Sequence, residues 1–265
     1  MKLVDSHCHL IQFHRRGNLP EILQEAEDLG VGRMITIGTD KKDWPVNLEL
    51  SRHYPGQIAY TVGLHPTSVD DDWEAQLEEL HPYLTSTPSP RAVGEIGLDH
   101  FHLPKDNPEK TKAIKARQVL AFDQQLQIAK AHELPVVIHS RNAFNQCMER
   151  IDQSGFPWQK VVFHCFADGL EEMRVLKERG GNASFTGILT YKNGDNVREA
   201  ALEQGLENLM LETDSPYLAP EPLRGKENHP GYTRHTAEAC AELFGETLET
   251  IATISTRNAE AFFNL

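Results

Sequence analysis

Short apolar runs alternate with amphipathic stretches along the whole chain. The runs are rich in β-branched residues, and their near-continuous hydrophobicity is typical of strands that are buried on both faces of a parallel sheet. The pattern predicts eight such strands, at residues 2–10, 33–37, 57–63, 91–95, 134–139, 161–164, 183–185 and 209–214.

The stretches between these runs predict helices. Residues 19–29, for example, carry Ile22, Ala26 and Leu29 at helical spacing, and Gly30 is suited to end the helix. The predicted helices lie at residues 19–29, 44–54, 72–84, 108–132, 142–152, 170–179, 195–204 and 233–244, and a final helical segment ends near Phe263. Eight strand–helix units predict an α/β fold, namely a TIM-type (β/α)8 barrel with a C-terminal helical extension.

Length and organisation agree with one barrel. The chain has 265 residues, and barrels of this class typically need about 250 residues. It contains no internal repeat, low-complexity tract or linker, so we expect a single domain over residues 1–265. No apolar stretch approaches the roughly 20 residues of a membrane span, and the first strand begins at the amino terminus. We therefore expect a cytoplasmic protein without a membrane partner.

The predicted strand ends carry residue types that bind metals. His7 and His9 alternate along the first strand, so they face the same side about 7 Å apart. This pair alone is a weak signal, but four further apolar runs each lead into a potential ligand, namely Glu95, His139, His164 and Asp214. The C-terminal ends of barrel strands converge on one mouth. The six residues together predict a site for two divalent cations, with Glu95 between them.

The overall charge limits the class of partner. The net charge is −13, from 26 basic and 39 acidic residues. An acidic surface argues against electrostatic binding of a long duplex. A small nucleic-acid contact at the mouth remains compatible with this charge, because bound cations dominate the field there.

The four cysteines show no metal or disulfide pattern. Cys8, Cys147, Cys165 and Cys240 are scattered and form no Cys-x-x-Cys pair. Strand alternation would turn Cys8 and Cys165 away from the face of the neighbouring ligands. We expect all four to be small, buried, reduced residues.

The motifs at the strand ends resemble those of the TatD family of metal-dependent deoxyribonucleases, within the amidohydrolase superfamily. The resemblance covers the whole chain and rests on residues 5–10 (DSHCHL), 63–66 (GLHP), 94–99 (GEIGLD), 135–141 (PVVIHSR), 164–166 (HCF) and 212–220 (ETDSPYLAP). Two positions depart from the family pattern. His100 stands where an aromatic residue is common, and Glu227 replaces a cation in the loop of residues 224–230.

The resemblance implies a dinuclear site and a nuclease activity. It places His7 and His9 on one metal and His139 and His164 on the other, with Glu95 shared. Asp214 would bind the first metal and take the proton of the attacking water. The implied reaction is hydrolysis of phosphodiester bonds in DNA, by trimming single-stranded ends in the 3'-to-5' direction. The mixed ligands suit Zn²⁺, Mn²⁺ or Fe, whereas Mg²⁺ usually prefers oxygen ligands.

Three residues near the ligands each fit two roles. His65 follows the third strand as a candidate catalytic acid or phosphate contact, or as a hydrogen-bonded residue of a Leu-His-Pro turn. Glu212 either orients a ligand histidine or is a core carboxylate. Asp99 either positions the Glu95 segment or caps a turn. The candidate contacts to substrate phosphate are cations on loops after strands, namely Arg141, Lys192, Arg224 and Lys226.

A second enzyme class uses a similar barrel for lactones, cyclic amides or phosphoesters. Many such enzymes bridge their metals with a carboxylated lysine, and the fourth strand here offers no lysine. That favours the nuclease, with DNA as substrate, whereas the acidic surface and Glu227 favour the small-substrate hydrolase. A metal-binding scaffold without activity would lack a ligand, and none is missing. Because a closed barrel leaves no sheet edge to pair, we expect a monomer without an obligate protein partner.

Overall fold

Eight parallel strands follow one another around a barrel in the computed structural model, which describes residues 2–265. Neighbouring strands pair in parallel in two ladders, β1 to β3 and β4 to β8, as the apolar runs predict. The strands are β1 (Leu3–Cys8), β2 (Val31–Thr36), β3 (Ile58–Tyr60), β4 (Val93–Asp99), β5 (Val136–Arg141), β6 (Val161–Phe163), β7 (Asn182–Phe185) and β8 (Met210–Leu211).

Two bridges join the ladders into a closed ring. The ladder of β1 to β3 and the ladder of β4 to β8 meet where Val62, just after β3, pairs with Val93 in β4. On the other side, Cys8 at the end of β1 pairs with Ser215, which follows β8. The predicted (β/α)8 barrel is therefore confirmed.

Eleven α-helices accompany the strands within the described residues. They are α1 (Ile11–Arg16), α2 (Leu19–Asp28), α3 (Trp44–His53), α4 (Trp73–Glu78), α5 (His81–Leu84), α6 (Pro108–Ala131), α7 (Phe144–Ser154), α8 (Leu170–Arg179), α9 (Asp195–Gln204), α10 (Thr233–Phe244) and α11 (Leu248–Phe263). None of these helices is long and apolar enough to span a bilayer.

The core has two parts. The larger cluster lies between the strands and the surrounding helices and includes Leu3, Met34 and Val136. A smaller cluster joins residues from six of the strand segments, such as Val4 and Val137, to Ala259 and Phe263 of α11. The C-terminal helical extension thus packs its apolar face onto the barrel residues of this cluster.

Two predicted elements differ from the structure. The helix predicted over residues 72–84 is two short helices, α4 and α5. Pro82 in the first turn of α5 has no N–H to donate to a preceding carbonyl, so a continuous helix cannot pass through it. Strand β4 continues to Asp99, beyond its predicted end at Glu95. Gly97 permits this continuation, because a Cβ there would lie 2.1 Å from the carbonyl oxygen of His139 on β5.

Candidate metal centre

Glu95 lies at the centre of a cluster of histidines inside the barrel mouth. Its side chain is only 4% exposed. Its Oε1 lies 2.7 Å from Nδ1 of His139, 2.8 Å from Nε2 of His164 and 3.3 Å from Nε2 of His65. Its Oε2 lies 3.5 Å from Nε2 of His7. Oε1 therefore faces three imidazoles and Oε2 faces that of His7, and His9 offers a further nitrogen within 4.8 Å of the ligand atoms of His7 and Glu95.

Asp214 and His9 complete the group on the His7 side. Oδ1 of Asp214 lies 3.2 Å from Nε2 of His9 and 3.7 Å from Nε2 of His7. Asp214 follows β8 in the left-handed conformation, with φ of 53°, and its N–H donates to the carbonyl of His7 at 2.9 Å. This contact brings the ends of β1 and β8 together, so all six predicted ligands lie in one cluster.

His139 and His164 each lie between Glu95 and a second buried carboxylate. Nε2 of His139 lies 3.1 Å from Oδ2 of Asp99, and Nδ1 of His164 lies 3.4 Å from Oε1 of Glu212. A carboxylate that holds one ring N–H leaves the lone pair on the other nitrogen free to bind a metal. Asp99 orients His139 in this way, whereas Glu212 lies beside Nδ1 of His164 without forming a hydrogen bond to it.

Asp99 and Glu212 combine the two roles that the sequence left open. Besides facing His139, Asp99 accepts hydrogen bonds from the backbone N–H groups of Phe101 and His102, both at 2.9 Å. Glu212 is fully buried and accepts the Cys165 N–H at 2.8 Å as well as the hydroxyl of Ser184. Each carboxylate is thus held by the local fold beside a histidine.

His7 lacks the hydrogen bonds that a buried imidazole needs. The residue is fully buried, and neither ring nitrogen has a hydrogen-bond partner among residues 2–265. Its ring stacks on that of His164 with centroids 3.9 Å apart. Leaving a buried polar group unpaired costs about 1–3 kcal/mol. A metal ion on one ring nitrogen would remove part of this penalty, so the side chain fits a metal ligand.

The donor atoms lie close enough together to hold cations. Each of three groups has its potential ligand atoms within 4.8 Å of one another, and Glu95 belongs to two of the groups. The groups are His7–His9–Glu95, His7–His164–Glu212 and His65–Glu95–His139. Imidazole nitrogens with carboxylate oxygens suit a divalent transition metal.

Electrostatics keep the central carboxylates ionised. Burial raises the pKa of Glu95, but the charges of His164 and His65 and the hydrogen bonds from His139 and His164 outweigh it and hold that pKa well below its usual value. Burial likewise raises the pKa of Asp214, and the hydrogen bond and charge of His9 more than reverse this effect. A buried group of ionised carboxylates attracts cations.

His65 presents a proton to the site. Its Nδ1 accepts the N–H of Thr67 at 3.1 Å and lies 2.6 Å from the hydroxyl of the same threonine. The proton of the neutral ring must then be on Nε2, which faces Glu95. This arrangement suits a hydrogen-bond donor or acid better than a metal ligand, and the turn around His65 is what fixes it.

Above the cluster lies a cleft of about 1260 Å³. Of the predicted substrate contacts, Arg141 lines it, and its guanidinium stacks on the exposed ring of Phe101 at 4.1 Å. Lys192, Arg224 and Lys226 are not among the described residues that line this cleft. The Arg224 guanidinium instead stacks on the ring of Tyr191 at 4.2 Å.

Sequence reasoning missed two arginines and a tyrosine of the cleft. Arg15 and Arg16 line it from α1, and Tyr217 lines it from the loop after β8. The position of α1 directly after the His7–His9 segment was the available signal, because any residue there must lie at the mouth. Glu227, which departs from the family pattern, pairs with Arg16 at 2.7 Å.

The structure corrects the orientation predicted for Cys165. All four cysteines are free, and Cys8, Cys147 and Cys240 are buried as expected. Cys165, however, is only partly buried and lines the cleft. Strand alternation does not apply to it, because β6 ends at Phe163 and Cys165 has a left-handed backbone with φ of 46°.

A parallel barrel with a histidine and carboxylate cluster at its mouth defines a metal-dependent hydrolase. The family model for TatD related DNase matches residues 4–264. The uncharacterized metal-dependent hydrolase YabD of Bacillus subtilis is 32% identical over 263 residues, which cover 99% of both chains. YcfH of Escherichia coli, described in the same words, is 32% identical over 100% of this chain and 97% of its own.

The fold gives the same assignment. The crystal structure of YjjV, a TatD homologue from Escherichia coli, matches with a TM-score of 0.89 and 29% identity, covering 99% of this chain and 98% of that one. A TatD family hydrolase from Entamoeba histolytica matches with a TM-score of 0.83 at 20% identity, over 99% of this chain and 98% of that one. The chain belongs to the TatD family, and it is a metal-dependent hydrolase that uses divalent metal.

Proposed function

We propose that the protein is a deoxyribonuclease that trims single-stranded DNA ends in the 3'-to-5' direction with two divalent cations. One observation carries the proposal: the two oxygens of Glu95 face different imidazoles. A carboxylate in that position can give one oxygen to each of two cations. Sites with two cations about 3.5–4 Å apart are common in enzymes that hydrolyse phosphodiesters.

The ligands divide between the two oxygens of Glu95. His7, His9 and Asp214 would hold one cation on the Oε2 side, and His139 and His164 would hold the other on the Oε1 side. Bound divalent cations lower the pKa of water and neutralise charge on the phosphoryl oxygens. The ions that fit this ligand set best are Zn²⁺ and Mn²⁺, with Mg²⁺ able to support activity when added.

The remaining proton transfers are assigned to Asp214 and His65. Asp214 is ionised and its side chain is 15% exposed to the cleft, so Oδ1 can accept the proton of the attacking water. His65 carries its proton on Nε2, which points towards Glu95. This N–H can donate to a phosphoryl oxygen or to the leaving oxygen of the DNA.

The rim of the cleft supports a single-stranded substrate. Arg141 provides positive charge in a protein whose net charge is −13, whereas Arg15 lies 3.8 Å from Asp43 of the same cleft and Arg16 pairs with Glu227. Tyr217 is 53% exposed, and its hydroxyl accepts a hydrogen bond from the Gln12 side chain at 2.9 Å, which holds the ring beside the cleft. A fixed, exposed ring can stack on an unpaired base, and such stacking tolerates any sequence.

A specific contact favours the second candidate, a hydrolase of lactones, cyclic amides or small phosphoesters. Glu227 neutralises Arg16 on the rim through their ion pair of 2.7 Å. This leaves less positive charge to hold a polynucleotide. The same ligands and the same Asp214 would serve that reaction, so the substrate alone separates the two functions.

The discriminating experiment follows end-labelled single-stranded DNA with Mg²⁺ or Mn²⁺. We expect stepwise shortening from the 3' end by the wild type and by Glu178→Ala, which removes an exposed glutamate of α8. Glu95→Ala should be inactive. If metal-loaded wild type leaves the DNA intact but hydrolyses a small ester or lactone, the nuclease proposal is wrong and the second candidate replaces it.

A further inference from the structure

A second pocket, of about 400 Å³, lies at the end of the barrel opposite the metal cluster. It is lined by Arg33 near the start of β2, by Ile58 at the start of β3 and by Arg91 just before β4. All strands run in the same direction, and the metal cluster lies towards their C-terminal ends. The pocket is therefore a separate site on the opposite face, and the reaction above does not use it.

Three arginines line this pocket, and each is held by a backbone carbonyl. Nε of Arg33 donates to Gly56 at 3.1 Å, Nε of Arg52 donates to Thr87 at 2.9 Å, and Nη1 of Arg91 donates to Asn264 at 2.9 Å. Each of these bonds restrains its side chain through one nitrogen. They leave both terminal nitrogens of Arg52, and Nε and Nη2 of Arg91, without an acceptor among residues 2–265.

The positive charge of the pocket is only partly compensated. Glu260 pairs with Arg33 at 3.0 Å. No carboxylate in the described chain lies within the 4.0 Å ion-pair distance of Arg52 or Arg91, and no aspartate or glutamate lines the pocket. Arg52 and Arg91 therefore lack an ion-pair partner among residues 2–265, although Leu265, which carries the terminal carboxylate of the printed sequence, also lines the pocket.

We propose that this pocket binds the phosphate group of a small phosphate monoester, such as a nucleoside monophosphate. A phosphate monoester carries up to two negative charges near neutral pH, so it can pair with the two guanidinium groups that have no ion-pair partner in the described chain. Planar guanidinium groups bind phosphate oxygens through paired N–H donors. The rest of the lining is largely apolar, including Pro55, Ile58 and Pro88, so the organic part of the ligand has a surface to contact. The site does not depend on the proposed nuclease activity.

The experiment is a calorimetric titration of the metal-loaded protein, and of the chelator-treated protein, with deoxyadenosine monophosphate and with inorganic phosphate. Binding to the pocket should persist after chelation, whereas binding at the barrel mouth should not. Arg52→Ala combined with Arg91→Ala should raise the dissociation constant of the chelation-resistant site about tenfold or more, because two charged hydrogen-bond donors are lost.

Two further variants keep the test valid if the double variant folds poorly. Thr87→Glu, at an exposed position of the lining, leaves all three arginines in place and adds a carboxylate, so it should compete with phosphate and weaken binding. Arg257→Ala removes an exposed arginine outside the pocket and should bind as the wild type does.

Each outcome of this experiment either supports or overturns the proposal. The proposal holds if the pocket variants lose the chelation-resistant binding and keep the activity of the wild type. It is overturned if the wild type shows no binding after chelation, or if Thr87→Glu and the double variant bind with unchanged affinity.

Discussion

The floor and the rim of the large cleft are built by different parts of the chain. We define the floor as the six predicted ligands, whose side chains are at most 15% exposed and come from strands or the residues just after them. We define the rim as Arg15 and Arg16 of α1, Tyr217 of the loop after β8, and Arg141, which the sequence placed on a loop but which is the last residue of β5. Strand ends position the floor, whereas three of the four rim residues lie outside the strands. We therefore assign the chemistry to the floor and substrate selection to the rim.

The largest effect is expected on the floor, from Asp214→Asn. The amide cannot accept the proton of the attacking water, so kcat on labelled single-stranded DNA should fall by about 10²–10⁴-fold. The isosteric change should preserve the circular dichroism spectrum. Wild-type turnover by a folded Asp214→Asn protein would contradict the role of this carboxylate in proton transfer. It would also contradict the assignment of the chemistry to the floor.

A smaller effect is expected from Glu212→Gln, because Glu212 lies beside a floor residue, His164, and is not itself a proposed ligand. Its Oε1 lies 3.4 Å from Nδ1 of His164. Carboxylates that support a ligand histidine typically contribute about 10–100-fold to metal affinity. We expect a competition titration with a fluorescent chelator to show weaker Zn²⁺ binding by this factor, with activity partly restored at high metal concentration. Equal affinity in Glu212→Gln and wild type would assign Glu212 to the core alone.

The sequence predicts the floor of the cleft better than its rim. His139 and His164 were predictable because each directly follows an apolar run that can only be a strand. The helix α1 has just six residues, too few to show a helical period, so Arg15 and Arg16 were missed. Lys192 and Arg224 lie on segments whose path no periodicity describes. The local hydrophobic pattern reveals where a strand runs and ends. The path of a loop depends on tertiary contacts, such as the stacking of Arg224 on Tyr191, which no local pattern reveals.

A rim substitution should change binding and leave the chemistry intact. Stacking on an aromatic ring contributes about 1–3 kcal/mol per base, so Tyr217→Ala should raise KM for single-stranded DNA about tenfold with little change in kcat. Tyr217→Phe keeps the ring and should retain most of the affinity. Lys192→Ala, outside the cleft lining, is the matched control. If Tyr217→Ala lowered kcat alone, the distinction between floor and rim would be wrong.

The smallest expected effect concerns Asp168, which follows the cleft residue Ala167 and has no cationic partner among residues 2–265. Burial, and secondarily the charge of Glu172, raises the pKa of Asp168 to about 6, opposite to the shifts of Glu95 and Asp214. A raised carboxyl pKa destabilises the fold increasingly as pH rises from the unfolded pKa of about 3.9 to the folded pKa of about 6, stays at its full effect above that, and has no such effect below the unfolded pKa. Asp168→Asn should therefore raise Tm by a few degrees at pH 8 and leave it unchanged near pH 4. An equal rise in Tm at pH 4 and at pH 8 would show that the raised pKa of Asp168 is not the cause.

The position of the cations relative to Glu95 tests the central claim most directly. Crystals of the protein loaded with Zn²⁺ or Mn²⁺ would locate each ion by anomalous scattering. The account predicts two ions, one on each oxygen of Glu95, with His7 and His9 on the first and His139 and His164 on the second. A single ion, or two ions that Glu95 does not share, would contradict it.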